Sequence, residues 1–226
     1  MRFPISKAGV LAAASLSTVV CLCAQTAATK GAPGSELQGL PPRAAPTDYQ
    51  ANAKAGGVTI AAEFSGHFVP TKEATYTTED YVVVETGLFG EPEARLALSP
   101  GDFSLRINGK KMPSPAQSYV LVMSSLKDPE WSPPGASSSS SKSKTSVNGG
   151  GGGGQGDPPP APVHMPPELQ HAMNVRVQKA ALAEGDRPLP QAGLLFFPYR
   201  GQTKGLRSVE LLYKGAAGEA TIALHP

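Results

Sequence analysis

Apolar and polar residues alternate along several segments of the chain, in the period-two pattern that is typical of half-buried β-strands. Residues 58–64 and Phe103–Ile107 carry their larger apolar side chains at every second position. Tyr81–Phe89 is a continuous run of β-branched and aromatic residues, and residues 118–123 have a similar composition. Because such residues favour extended backbone, the pattern predicts a strand in each of these four segments.

The C-terminal part of the chain repeats this pattern. Strands are predicted over residues 193–199, 208–214 and 219–224, separated by glycine-containing turns. Earlier in the chain, Asn108 and Gly109 form the strongest two-residue hairpin signal, since both residues tolerate positive φ. The expected return strand, residues 110–112, is cut short by Pro113 and Pro115, which predicts a sheet edge because proline cannot donate to a strand ladder.

One segment has helical rather than strand periodicity. Pro167 suits the first turn of a helix, and Gly185 is a suitable stop after its end. We therefore predict a helix over residues 167–183. Its apolar residues recur at spacings of three and four and favour a face that docks on the strands, the alternative being a face that binds a partner: Leu169, Met173, Val177 and Ala180.

Composition separates the strand-forming parts from two other segments. The chain has 25 glycines and 23 prolines, and these are concentrated in places rather than spread evenly. Residues 132–167 contain runs of serine, glycine and proline and predict a disordered insertion. The glycine run 149–154 lacks the Gly-Lys-Ser/Thr ending of a phosphate loop. Residues 25–57, which are poor in large aliphatic side chains, predict a flexible arm.

The first 24 residues have the layout of a secretory signal peptide, with a short basic start, an uncharged run and a small-residue exit. Cleavage after Ala24 or Ala28 would remove Cys21 and Cys23, leaving no disulfide, thiol chemistry or membrane span. The alternatives are an uncleaved anchor and a lipid on one of the two cysteines. Cleavage also brings the 20 basic residues level with the 18 acidic ones. That balance argues against nucleic acid as a partner.

The two strand-rich parts, residues 58–131 and 168–226, are each too small for an independent pair of sheets. Together they predict a mainly β domain of one helix and seven or eight strands, interrupted by the disordered insertion. Short strands with frequent turns are typical of a β-sandwich.

Several of these segments also resemble a family of secreted bacterial proteins with an immunoglobulin-like domain. The resemblance covers about 100 of the 226 residues and includes the valine-rich strand, the strand that turns at Gly109-Lys110, Phe197-Pro198 and Leu212-Tyr213. It implies an immunoglobulin-like β-sandwich and carries no catalytic residues over to this chain. The long insertion and the helix depart from the family pattern.

The candidate ligand-contact residues fall in three places. Asp128, Glu130 and Trp131 combine two acids with the only tryptophan, which fits either a sugar- or peptide-binding lip or a tryptophan that packs the end of the core. Arg187 lies in a polar, proline-rich loop, residues 184–191, which is either a binding loop or a helix stop. Tyr199 is a second aromatic candidate.

No catalytic, cofactor or metal site is predicted. The four histidines, His67, His164, His171 and His225, do not have zinc-ligand spacing, and no nucleophile, histidine and acid can be ordered into a set. The sequence therefore favours a secreted or periplasmic, non-enzymatic domain that binds a cell-envelope or extracellular protein through a sheet edge or its end loops. The alternative is a carbohydrate-binding or enzyme-accessory module that uses Trp131 and Tyr199.

Overall fold

Residues 38–132 and 164–226 are described by a computed structural model of the chain, and they are mainly antiparallel β-structure. The strands are β1 Ala51–Ala55, β2 Val58–Gly66, β3 Phe68–Pro70, β4 Thr75–Thr78, β5 Tyr81–Phe89, β6 Arg95–Leu98, β7 Phe103–Ile107, β8 Ser114–Pro115, β9 Leu126–Lys127, β10 Gly185–Pro188, β11 Gln191–Pro198, β12 Val209–Gly215 and β13 Gly218–Leu224. The α-helices are α1 Tyr119–Val122 and α2 Pro167–Ala180.

The strands form two larger sheets and two small ones. The first sheet has the order β1-β2-β5-β11, and the second sheet has the order β13-β12-β7-β8. The small sheet is β3-β4-β9, and β6 pairs with β10. Strands from the two sides of residues 133–163 pair directly, β5 with β11, β7 with β12 and β6 with β10. The described residues thus form one interleaved unit.

The two larger sheets contribute to one buried group of side chains, which we call the inner cluster. Its members include Ile60, Val82, Val84, Leu195 and Phe197 from the first sheet, and Phe103, Leu105, Ile107, Val209, Leu211 and Ile222 from the second. The second sheet buries only the face that contributes to the inner cluster. On its other face Arg106 forms an ion pair with Glu210 at 2.9 Å, which explains the alternating pattern of β7.

The central strands of the first sheet are buried on both faces. A second group of side chains, the outer cluster, consists of Val69, Tyr76, Val83, Val122, Leu126, Met173, Val177, Ala180, Ala181, Leu194 and Phe196. Val83 belongs to this cluster, whereas its neighbours Val82 and Val84 belong to the inner one. Because successive side chains of a strand point to opposite faces, a strand covered on both sides needs a continuous apolar run. The predicted strand Tyr81–Phe89 is confirmed.

Helix α2 contributes to the outer cluster through Met173, Val177 and Ala180, as the sequence predicts. Leu169, expected on the same face, is half exposed at 51%. The helix also ends three residues before the predicted end at residue 183. Ala181 has an extended backbone, and the Leu182 N–H donates to the Leu194 carbonyl of β11 at 3.0 Å. The chain leaves the helix early because it joins the edge of the first sheet.

Two local predictions are wrong. Residues 118–123 form helix α1 and the start of a 3-10 turn rather than a strand. Ser118 caps the helix by accepting a hydrogen bond from the Val120 N–H at 3.4 Å. Only Val122 of this helix is buried, so the alternating contacts that a strand needs are missing here. In the predicted hairpin, Asn108 and Gly109 do have positive φ of 51° and 67°, but the return strand is Ser114–Pro115 rather than residues 110–112.

The predicted flexible arm is also wrong for residues 38–57. Strand β1 pairs with β2 along its whole length, and the Leu40 N–H donates to the Ala192 carbonyl at 2.9 Å. Long-range pairing orders this segment despite its weak local preference. Residues 25–37, the predicted signal peptide 1–24 with Cys21 and Cys23, and residues 133–163 of the predicted insertion lie outside the described residues.

The expected seven or eight strands are fewer than the thirteen found among the described residues. The additional strands are mostly short, such as β3, β6 and β10, and lack a strong apolar alternation of their own. The predicted C-terminal strands are confirmed as β11, β12 and β13. None of the helices within residues 38–132 and 164–226 combines the length and apolar character needed to cross a bilayer.

Candidate functional site

Asp128, Glu130 and Trp131 form a local turn after β9. The Asp128 carboxylate accepts a hydrogen bond from the Glu130 N–H at 2.9 Å, and the Asp128 carbonyl accepts one from the Trp131 N–H at 3.2 Å. Trp131 is partly exposed and belongs to neither buried cluster of the described residues. The Asp128 side chain therefore closes the turn.

Arg187 lies in β10, opposite Leu96 of β6. Its Nε donates to the Glu184 carbonyl at 3.0 Å, a contact within the same short segment. The neighbouring Asp186 forms an exposed ion pair with Arg95 at 2.8 Å. The segment predicted as a polar loop, residues 184–191, is thus largely strand. Arg187 bonds within this segment, and Asp186 pairs with Arg95 of the neighbouring strand β6.

Tyr199 follows β11 and packs partly buried against the inner cluster. Its ring stacks on the His67 ring with 6.1 Å between centroids, and its hydroxyl donates to the Gln202 carbonyl at 3.3 Å. A β-carbon at Gly201 would lie only 2.5 Å from the Tyr199 hydroxyl oxygen. Tyr199 therefore fixes the loop between β11 and β12.

His67 fixes the same loop from the other side. The Nδ1 atom lies 2.7 Å from the Tyr81 carbonyl oxygen, and Nε2 lies 2.8 Å from the Gly201 carbonyl oxygen. A neutral imidazole has one N–H and donates to one of these acceptors, whereas an imidazolium donates to both. The ring bridges the start of β5 to the β11–β12 loop.

Two open cavities meet at Arg200 and Gly201, and we call them together the Arg200 groove. The larger, of about 770 Å³, is lined by His67, Thr77, Thr78, Glu79, Arg200, Gly201, Gln202, Thr203 and Lys204. The other, of about 520 Å³, is lined by Asp80, Tyr81, Lys110, Pro198, Tyr199, Arg200 and Gly201. Tyr199 is the only one of the predicted ligand-contact residues on these walls.

The carboxylates of the groove are already paired. Asp80 binds Arg200 at 2.9 Å, and Glu79 binds Lys127 at 2.6 Å. The hydrogen bond and the charge of Lys127 lower the pKa of Glu79. The ammonium groups of Lys110 and Lys204 have no hydrogen-bond or ion-pair partner among the described residues. One unpaired positive charge thus lines each half of the groove.

A separate charged cluster surrounds Arg43. Its guanidinium makes two hydrogen bonds to Glu85, at 3.2 and 2.9 Å, one to Glu63 at 2.5 Å, and lies 4.5 Å above the centre of the Tyr49 ring. Partial burial alone lowers the Arg43 pKa, but the hydrogen bonds and charges of both glutamates outweigh burial and raise it. Glu63 and Glu85 are direct cross-strand partners, so Arg43 neutralises two like charges.

The sequence does not predict the Arg43 cluster, because the composition of residues 25–57 is that of a flexible arm. The available signal was Tyr49, the only aromatic residue of the segment 25–57. This ring is 5% exposed, and burial raises the pKa of its hydroxyl. The cluster fastens residues 43–49 to the first sheet.

The exposed apolar side chains include three on the two helices. Val120 and Leu121 of α1 are 57% and 52% exposed, and α1 contacts α2, which carries the half-exposed Leu169. We call the two neighbouring residues of α1, Val120 and Leu121, the helical apolar face. Elsewhere among the described residues, Phe68 and Met112 are the large apolar side chains with comparable exposure.

The outer edge of β11, by contrast, is occupied. The carbonyls of Ala192, Leu194 and Phe196 each accept a backbone hydrogen bond from another segment. The donors are Leu40 at 2.9 Å, Leu182 at 3.0 Å and Gln117 at 2.7 Å. This edge has no free row of acceptors for an added strand.

A smaller cavity of about 310 Å³ lies between residues 39–41, residues 71–73 and α2. Arg176 lines it, with Nε 2.5 Å from a Glu73 carboxylate oxygen and Nη1 2.9 Å from the Tyr76 hydroxyl. Both bonds join α2 to the small sheet. Within the part of the chain that the structure describes, no three His, Cys, Asp or Glu side chains are grouped so as to bind a metal ion.

Comparisons of the chain with protein-family models, with characterised proteins and with solved structures find no significant match.

Proposed function

We propose that the protein is an exported, non-enzymatic binding module with an immunoglobulin-like sandwich, and that it binds a protein of the cell envelope. The observation that carries this proposal is the helical apolar face. Neighbouring large apolar side chains that are exposed are characteristic of protein-binding surfaces. The sandwich is supported by the inner cluster, to which both larger sheets contribute.

Two observations favour the helical apolar face over the edge of the first sheet as the surface that binds the partner. The sequence favours a sheet edge or end loops, but the outer edge of β11 is occupied by Leu40, Leu182 and Gln117. Val120 and Leu121 stand on a short helix that interrupts the β-structure, with Val122 anchoring it in the outer cluster. Because Val122 anchors the helix in the core, Val120 and Leu121 remain exposed and accessible to a partner.

The alternative, a carbohydrate-binding or enzyme-accessory module centred on Trp131 and Tyr199, has less support. The Tyr199 ring stacks on His67, and its hydroxyl donates within its own loop. Asp128 closes the turn that precedes Trp131. The Tyr199 hydroxyl and the Asp128 carboxylate thus already form hydrogen bonds within the protein.

Site-specific photo-cross-linking in the native envelope tests the proposal. A photoreactive phenylalanine analogue replaces Leu121, and Met112, an exposed apolar residue outside the helices, is the matched control position. We expect one discrete protein adduct from position 121, its loss in a Val120→Asp background, and no such adduct from position 112. An absence of adducts at 121, or the same adducts from both positions, would overturn the proposal.

A further inference from the structure

We infer that the Arg200 groove binds an acidic polysaccharide, held by the ammonium groups of Lys110 and Lys204. The residues that line this site do not include those of the helical apolar face, and the inferred ligand has a different chemistry. Three features carry the inference: the charge of the groove, the composition of its walls and the fixation of its floor.

The groove carries a net positive charge, because both of its carboxylates form ion pairs and two further cations remain unpaired within residues 38–132 and 164–226. Arg200 neutralises Asp80, and Lys127 neutralises Glu79. Lys110 on one side and Lys204 on the other keep unpaired ammonium groups among the described residues. Charges on both sides of Arg200 suit an extended ligand with repeated negative groups rather than a single small anion.

The walls favour a polysaccharide over a peptide. Protein interfaces rely on aromatic or aliphatic anchors that fill apolar pockets. The residues that line the groove include no Val, Leu, Ile, Met or Phe, and of its two tyrosine rings that of Tyr199 is already stacked on His67. They offer instead the hydroxyl groups of Tyr81 and Thr203 and the side-chain amide of Gln202, groups that exchange hydrogen bonds with sugar hydroxyls.

The floor of the groove is fixed before any ligand binds. The Tyr199 hydroxyl holds the Gln202 carbonyl, and His67 lies within hydrogen-bond distance of the Gly201 carbonyl. Both contacts restrain the loop that carries Arg200 and Lys204. A restrained loop loses little conformational entropy on binding, which favours affinity.

Isothermal titration of the mature protein with polygalacturonate, a carboxylate polysaccharide, tests the inference. Dextran serves as the neutral comparison and poly-L-glutamate as the acidic peptide comparison. We expect saturable binding of polygalacturonate that weakens as salt is raised from about 0.05 to about 0.5 M, with weaker binding of poly-L-glutamate and none of dextran. The double variant Lys110→Gln/Lys204→Gln should bind about tenfold more weakly, as expected for two lost charge contacts.

The matched control is Lys54→Gln/Lys72→Gln, which removes the same charge from two exposed lysines outside the groove. We expect this variant to bind like the wild type, and both variants to keep the wild-type melting temperature. The inference is overturned if polygalacturonate does not bind at low salt, if both double variants lose the same affinity, or if poly-L-glutamate binds more tightly than polygalacturonate.

Discussion

Gly193 lies against the backbone of Leu182, so closely that a β-carbon at residue 193 would stand 2.4 Å from the Leu182 Cα. This approach brings the Leu182 N–H to the Leu194 carbonyl, which it binds at 3.0 Å. The glycine thus permits the segment after α2 to close the edge of the first sheet. No side chain larger than hydrogen fits between the two backbones.

Gly193→Ala is therefore expected to destabilise the fold by roughly 1–3 kcal/mol, because the backbone of residues 181–182 has to move away from β11. Urea denaturation measures the change in the free energy of unfolding. Gly57→Ala is the matched control, since a β-carbon there has no neighbour within 4 Å. Equal unfolding midpoints for the two variants would contradict the proposed close contact.

Arg43→Met should lower the free energy of unfolding by roughly 1–3 kcal/mol, because it leaves Glu85, which is 13% exposed, without its cation and opposite Glu63. Adding Glu85→Gln to Arg43→Met should restore part of the loss by removing the unpaired charge. A double-mutant cycle in thermal or urea melts measures this coupling. Additive effects of the two substitutions would show that the pair does not fasten residues 43–49.

Thr86 and Thr78 are both buried, but their hydroxyls differ. Within the part of the chain that the structure describes, Thr86 Oγ1 has no hydrogen-bond partner, whereas Thr78 Oγ1 lies 2.7 Å from Ser125 Oγ. Thr86→Val is expected to stabilise the protein by about 1 kcal/mol, since it removes an unsatisfied polar group. Thr78→Val should destabilise it by about 1 kcal/mol. Melting temperatures of the two isosteric variants should thus shift in opposite directions, and a shared direction would refute this assignment.

Asp102 gives the protein a defined pH dependence. Burial raises the Asp102 pKa above its ordinary value, so the folded protein binds this proton more tightly than the unfolded chain does. The resulting stabilisation is complete below the unfolded pKa and is lost as pH rises through the folded pKa. At neutral pH the ionised carboxylate therefore reduces stability.

Asp102→Asn should accordingly raise the melting temperature at pH 7, and its advantage should shrink as pH falls toward about 3, where the wild-type carboxyl is protonated. Melts of both proteins across this range measure the difference. Glu91→Gln, at an exposed position, controls for the general effect of removing an acid. A constant difference between Asp102→Asn and wild type at all pH values would contradict the prediction.

The sequence predicted the strands whose environment is uniform along their length. Phe103–Ile107 alternates because one face is buried, and Tyr81–Phe89 is continuously apolar because both faces are covered. Residues 118–123 have the composition of a strand, yet they have no strand partner and Ser118 caps a helix instead. Local preference decides such a segment only when tertiary pairing agrees with it.

The candidate site was harder to predict than the strands. The sequence identifies Tyr199 as an aromatic candidate. In the structure its ring contacts His67, which is distant in the sequence, and its hydroxyl binds Gln202, which is close in the sequence. The groove combines the β4–β5 turn, the turn after β7 and the β11–β12 loop. Arg43 meets Glu63 and Glu85 only through the pairing of β2 with β5. No residue spacing in the sequence predicts these side-chain contacts.

The closure of the β11 edge has a consequence for the order in which the chain can fold. Leu40, Gln117 and Leu182 precede β11 in sequence, and each binds a carbonyl of this late strand. During synthesis these three backbone N–H groups lack their acceptors on β11 until that strand has emerged, and β5 lacks one of its two neighbours until then. Folding that depends on such distant contacts is slow. Among the described residues, the side of β5 that pairs with β11 is therefore expected to remain accessible to chaperones until synthesis is nearly complete.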